Sequence, residues 1–289
     1  MAEPGAQELV DVNGVSICMQ AFGNRADPAI VLIHGAGSSM VSWDEAFCRE
    51  LAAGGRLVVR YDNRDCGRST SYEVGAPPYA MRDLAADAIG VLDALGLSRA
   101  HLLGLSQGGS VALLAALDYP ERVASLVLAA SSPADGEDDE GLPPPSEALA
   151  ASFGEQAPEP DWDDRDAVIE YLVEAERPLA GSSPGFDEVA MRQTCALIAD
   201  HADAIAAQAT NPFELETGEG WRRRLGELRA PTLILHGTDD PMFPLGHGQA
   251  LEAEIPNARL VALAGLGHEY PPRAHWAAVV PEVISHTGG

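Results

Sequence analysis

The feature that most limits what this chain can become is the run Gly104-Leu105-Ser106-Gln107-Gly108. A G-x-S-x-G pattern alone is common, but its surroundings give it meaning. The apolar run His101-Leu102-Leu103-Gly104-Leu105 predicts a strand ending at 105. The Ala/Leu-rich stretch from Gln107 to Asp118 predicts a helix that stops near Pro120. A strand that turns into a helix around one residue makes a sharp elbow, so the flanking positions must be small. Gly104 and Gly108 meet that need, with Gly109 and Ser110 behind them. Such an elbow exposes a serine hydroxyl beside the amides and positive dipole of a helix N-terminus.

The rest of the chain supplies a sheet to carry that elbow. Two Val/Ile/Leu-rich runs around Asn13-Gly14 predict a hairpin over 8–22. Short apolar runs at 29–33, 57–61, 125–130, 232–236 and 259–263 predict further strands, and helical spacing marks Met81 to Leu95. Ala274 to His286 also looks helical, with Pro281 expected to kink or split it. Strands alternating with helices predict an α/β fold with a doubly wound, mostly parallel sheet.

The alternation breaks between about 132 and 228. That stretch opens with Pro133 and the acidic, proline-rich run Asp135 to Pro145. It then shows helical patterns near 163–176 and 186–209 and no convincing strand. It holds 23 of the 44 acidic residues and only 6 of the 18 arginines. The expected organisation is a core in two parts, 1–131 and 229–289, with a helical cap at 132–228. Longer connecting helices are the plainer alternative.

The chain has 18 basic residues, all Arg, and a net charge of −26. Nucleic acid and anionic membranes would be repelled by such a surface, so neither is an expected partner. Residues Met1-Ala2-Glu3-Pro4-Gly5 lack the basic and apolar regions of a secretory signal, and no run approaches the ~18 apolar residues of a membrane span. Cys18, Cys48, Cys66 and Cys195 are scattered, which predicts reduced, mostly buried thiols in a cytoplasmic protein. No H-E-x-x-H, ligand-spaced Cys/His pair, P-loop or dinucleotide fingerprint is present, so no metal or cofactor is expected.

A serine hydroxyl is a weak nucleophile near neutral pH and needs a base, itself held by an acid. In elbow-bearing sheets the chain order is Ser, acid, His. The strand at 232–236 leads into Gly237-Thr238-Asp239-Asp240-Pro241, and that at 259–263 into Ala264-Gly265-Leu266-Gly267-His268. Asp239 and Asp240 compete for the acid role. Asp240, further round the loop and before Pro241, is preferred. Among eight histidines only His268 has a glycine-flanked, post-strand setting, so it is the expected base. The loop His34-Gly35-Ala36-Gly37-Ser38-Ser39 is expected to bring the amide of Ala36 beside that of Gln107 as an oxyanion hole, with His34 holding the loop. The charges of Asp62 to Ser69 are expected to tie that loop down locally.

Together these residues resemble the α/β-hydrolase superfamily over nearly the whole chain outside 132–228. Within it, Arg60-Tyr61-Asp62-Asn63-Arg64-Asp65-Cys66-Gly67-Arg68-Ser69-Thr70, Gly104 to Gly108, Gly265-Leu266-Gly267-His268 and Val283-Ile284-Ser285-His286-Thr287 are similar to the aclacinomycin methylesterase group. That group removes a methyl ester from anthracycline polyketides. The resemblance implies Ser106 as nucleophile, Asp240 as acid, His268 as base, and Ala36 and Gln107 as oxyanion donors. Gln107 stands where the group has Met, and the cap matches poorly. The leading expectation is hydrolysis of a small-molecule carboxylic ester. The alternatives are C–C bond hydrolysis or perhydrolysis on the same triad, and a non-catalytic binding homologue. The aromatic side chains Trp162, Tyr171, Phe186, Phe213 and Trp221 are expected to line an acyl pocket or to form cap core.

Overall fold

A computed structural model describes residues 5–134, 136, 139–154 and 158–288. Residues 1–4 of the N-terminal reading, and Asp135, Glu137 and Asp138 of the acidic run, lie outside the described residues.

The chain forms one eight-stranded sheet from β1 (Glu8–Val12), β2 (Val15–Phe22), β3 (Ala29–Ile33), β4 (Leu57–Tyr61), β5 (Ala100–Leu105), β6 (Val123–Ala129), β7 (Thr232–Gly237) and β8 (Ala258–Leu263). The spatial order is β1-β2-β4-β3-β5-β6-β7-β8. The first two strands are an antiparallel hairpin whose turn residues Asn13 and Gly14 both have positive φ, as a tight two-residue loop requires. From β4 to β8 every pairing is parallel.

Helices cover both faces. Alternate residues of the central strands point to opposite sides, so Val31 and Ile33 join one core and Ile30 and Leu32 the other. The first core is closed by α2 (Met81–Ala94), α3 (Gln107–Asp118) and α8 (Gly246–Glu254). The second is closed by α1 (Glu45–Ala53) and α9 (Trp276–His286). Pro281 does not split α9. Pro281 and Ala277, whose carbonyl loses its helical partner, both face solvent, where water can serve that carbonyl. Meanwhile Trp276, Val279, Val280 and Val283 hold both halves of the helix to the core.

Between β6 and β7 the described residues contain no strand. They form α4 (Glu147–Gly154), α5 (Arg165–Glu176), α6 (Glu188–His201) and α7 (Ile205–Thr210), with short 3₁₀ turns. Residues Ile169, Val173 and Cys195 give α5 and α6 a small core of their own. No helix among the described residues is long and apolar enough to cross a membrane.

Strand order reverses at β3, because β4 lies on one side of it and β5 on the other. The loops leaving β3 and β5 therefore diverge at the carboxyl edge, the crevice where open α/β sheets gather their ligands.

Candidate active site

Ser106 sits in that crevice between β5 and α3 with φ 53° and ψ −119°, a region L-residues rarely adopt. The surroundings hold it there. A Cβ on Gly104 would lie 2.1 Å from the carbonyl oxygen of Gly108, and one on Gly108 would lie 2.3 Å from that of Ile33. Only bare backbone fits at either position, which is why the elbow demands its glycines. The amide of Ser106 donates to Ala129 of β6, and Ser131 donates to the Ser106 carbonyl.

His268 arrives from the loop after β8. Its Nε2 lies 2.9 Å from Ser106 Oγ, and its Nδ1 lies 2.9 Å from Asp240 Oδ2 and 3.2 Å from Oδ1. A carboxylate only accepts, so Nδ1 carries the proton and Nε2 is free to receive one from the serine. Asp240 is fixed in turn, because its Oδ1 accepts the amides of Met242 and Phe243 at 2.9 and 2.8 Å. The competing Asp239 is solvent-exposed and accepts hydrogen bonds from Ser182 and Thr238. Fully buried His236 also approaches Asp240, at 3.7 Å, but its Nε2 donates to the Phe243 carbonyl at 2.7 Å. Burial lowers the pKa of His236.

The loop after β3 forms the opposite wall. A Cβ on Gly35 would stand 3.6 Å from that of Ser106, so this loop runs directly beside the serine. Among the described residues no acceptor meets the amide of Ala36. Gln107 opens α3, so no carbonyl within the helix can reach its amide. His34 holds the loop's base. Its Nδ1 donates to Gly35 O at 2.8 Å, its Nε2 accepts from the Asn63 amide at 3.0 Å, and burial lowers its pKa.

Several partners escaped the sequence reading. Tyr270 accepts a hydrogen bond from the Gly35 amide at 3.1 Å and donates to Ser38 at 3.1 Å, joining the His268 loop to the Gly35 loop. Gln208 of α7 donates to Gly37 O at 3.2 Å and accepts from the Gly67 amide at 2.9 Å. Gln107 donates to Pro212 O at 2.6 Å. The ties of the loop from Asp62 to Ser69 are not merely local. Arg64 forms a two-pronged pair with Asp87 of α2 at 2.7 and 2.9 Å, and Asp62 accepts from His201 of α6 at 2.7 Å. Of the five aromatic residues, Trp221 belongs to the main core, and Trp162 packs edge-on against Tyr171. Phe186 lies under Arg177, and Phe213 lies over Gly37.

Among the described residues one group brings metal-binding atom types together: Cys18, Asp62 and His201, within 4.8 Å of one another. Its donors are already engaged. Asp62 accepts the amides of Met40 and Arg68 besides His201, and burial, then Asp62, pushes the Cys18 thiol up to about 12. The group is a hydrogen-bonded tie between α6 and the edge of the sheet. All four cysteines are free and buried.

A doubly wound sheet with a strained serine elbow, an imidazole on its hydroxyl and a carboxylate behind the imidazole defines a hydrolase architecture. The chain belongs to the α/β-hydrolase fold family, whose model matches residues 28–270. Among curated proteins it is 30% identical to the rhodomycin D methylesterase DauP of Streptomyces sp. (strain C5), over 96% of this chain and 97% of that protein. It is 32% identical to a 2-hydroxy-6-oxononadienedioate/2-hydroxy-6-oxononatrienedioate hydrolase of Burkholderia vietnamiensis, over 83% of this chain and 80% of that one. Among solved structures it is similar to a hydrolase from Pseudomonas aeruginosa PA01, with TM-score 0.76, 25% identity and 99% of each chain covered.

Proposed function

We propose that this chain is a serine-dependent carboxylic ester hydrolase with Ser106 as nucleophile, His268 as general base and acid, and Asp240 as the orienting carboxylate. One observation carries the reading: an unbroken run of hydrogen bonds from Ser106 Oγ through both ring nitrogens of His268 to Asp240, 2.9 Å at each link. Ser106 Oγ attacks the ester carbonyl while its proton passes to His268 Nε2. The oxyanion that forms is received by the amides of Ala36 and Gln107, and each such donor is worth about 3–4 kcal/mol in the transition state. The imidazolium, steadied by Asp240, returns the proton to the departing alcohol. Water then repeats the sequence on the acyl-enzyme.

Residues 132–228 act in this reading as a helical cap that shapes the substrate side. The hydrogen bonds of Gln208 to Gly37 and Gly67 and of Gln107 to Pro212 support that role. The likeness to a rhodomycin D methylesterase favours the methyl ester of an aromatic polyketide as substrate class. The four free thiols favour a reducing compartment such as the cytoplasm. The same triad serves a second reading, hydrolytic C–C cleavage, favoured by the likeness to the Burkholderia hydrolase.

A fluorophosphonate probe tests the nucleophile. The wild-type protein should be labelled and Ser106→Ala should not. Labelling that survives in Ser106→Ala would sink the assignment. Methanol release from aromatic methyl esters, set against cleavage of vinylogous 1,5-diketones, separates the two readings.

A further inference from the structure

One carboxylate beside this site has no use in the mechanism above. The inner stripe of α5 is apolar: Ile169 and Val173 are buried, and Leu172 packs with them. Glu176 follows Val173 by three residues, Leu172 by four and Ile169 by seven, so it continues the same stripe. It is also the last residue of α5, where the helix carbonyls already present negative potential. Neighbouring Glu170 and Glu174 pair with Arg192 and Arg177. Among the described residues, no hydrogen-bond donor or cation reaches the Glu176 carboxylate.

The chain just beyond Glu176 docks on the His268 loop. Leu179 O accepts from the His268 amide at 2.8 Å, and the Gly181 amide donates to Glu269 Oε1 at 3.1 Å. Glu176 therefore stands at the seam between α5 and that loop. His268, Glu269 and Tyr270 of the loop and Cys195 of α6 lie within electrostatic reach of it. Burial pushes its carboxyl up to about 6, with Glu269 adding to the rise and His268 opposing it. The side chain is half-buried, so the carboxylate loses part of its water without gaining a partner yet stays open to an incoming cation, which would relieve that cost.

We propose that Glu176 is a recognition residue for positively charged esters, receiving an ammonium group of the substrate while Ser106 attacks the carbonyl. This deepens the ester-hydrolase reading and rests on it.

The test compares two p-nitrophenyl esters of matched shape, one of 4-(trimethylammonio)butanoate and one of 5,5-dimethylhexanoate. Wild type at about pH 8 should prefer the cationic ester, and in Glu176→Gln the ratio of the two kcat/KM values should fall about tenfold. Turnover of the neutral ester should be retained. In wild type the same ratio should fall as pH drops through about 6. An unchanged ratio in the variant overturns the proposal. An equal loss on both esters also overturns it, since Glu176 would then act on His268 rather than on the substrate. If neither ester turns over, the hydrolase reading fails instead. Recognition is then read by calorimetric binding of 4-(trimethylammonio)butanamide to Ser106→Ala, and binding that persists in Ser106→Ala/Glu176→Gln overturns it.

Discussion

At the scale of single residues, the proposed chemistry depends on what holds its groups in place. Asp240 accepts two backbone amides as well as His268 Nδ1, so its orientation is set before substrate arrives. Asp240→Asn should leave the fold intact but favour the wrong imidazole tautomer, with kcat down on the order of 10⁴-fold. Steady-state kinetics beside an unchanged circular dichroism spectrum checks this. Tyr270 has a subtler part. Tyr270→Phe removes the acceptor of the Gly35 amide, next to the proposed oxyanion donor, and should lower kcat about tenfold with little change in KM. A rise in KM with kcat preserved would assign the tyrosine to substrate contact.

Elements place those residues, and here the sequence was legible to different depths. The elbow was readable because steric demand leaves a plain mark: glycines on both sides of one serine. Gly108→Ala should clash with the Ile33 carbonyl and destabilise the fold by more than about 3 kcal/mol, measured by urea unfolding. The buried pair of Arg64 and Asp87 makes a second structural prediction. Asp87→Ala leaves the guanidinium unpaired and should cost about 3–5 kcal/mol. That tie was illegible because its partners stand on a loop and a helix far apart in the chain. The helix α1 went unread although Asp44 caps it and Phe47, Cys48 and Leu51 mark its buried face. By contrast α8, opening on Gly246-His247-Gly248, carries little helical signal. The convergence of Ser106, Asp240 and His268 was legible because each follows a strand. The lateral bonds of Tyr270, Gln208 and His201 were not, since no local pattern announces a long-range hydrogen bond. Glu176 was within reach, as the polar intruder on an apolar stripe.

For the molecule as a whole, buried and half-buried histidines dominate the response to acid. His34, His101, His236, His247 and His286 all have pKa values lowered, chiefly by burial, with His101 brought down to about 4. The unfolded chain takes up these protons near pH 6.5 and the folded one does not, so stability is complete above that pH and is lost as pH falls below it. Glu176 works the other way: its carboxyl is raised, so its contribution is present below about 4.5 and is lost as pH rises through about 6. Five groups outweigh one, and urea midpoints should fall between pH 7 and pH 5. A flat profile would contradict the burial of these rings. The net charge of −26 adds a separate effect. Moderate salt should raise the melting temperature by damping self-repulsion over a Debye length of about 10 Å at 0.1 M.

The strands β6 and β7 are parallel neighbours, so whatever joins them must carry the chain from one rim of the sheet back to the other. A bridge of about a dozen residues, one helix, is enough for that journey. The described residues between 130 and 231 are such a bridge grown into a superstructure. A replacement span would have to reproduce the bonds this one makes to the loops beneath it, from Leu179 to the His268 amide and from Gln208 to Gly37 and Gly67, so a graft that omits them should disturb the site as well as the superstructure.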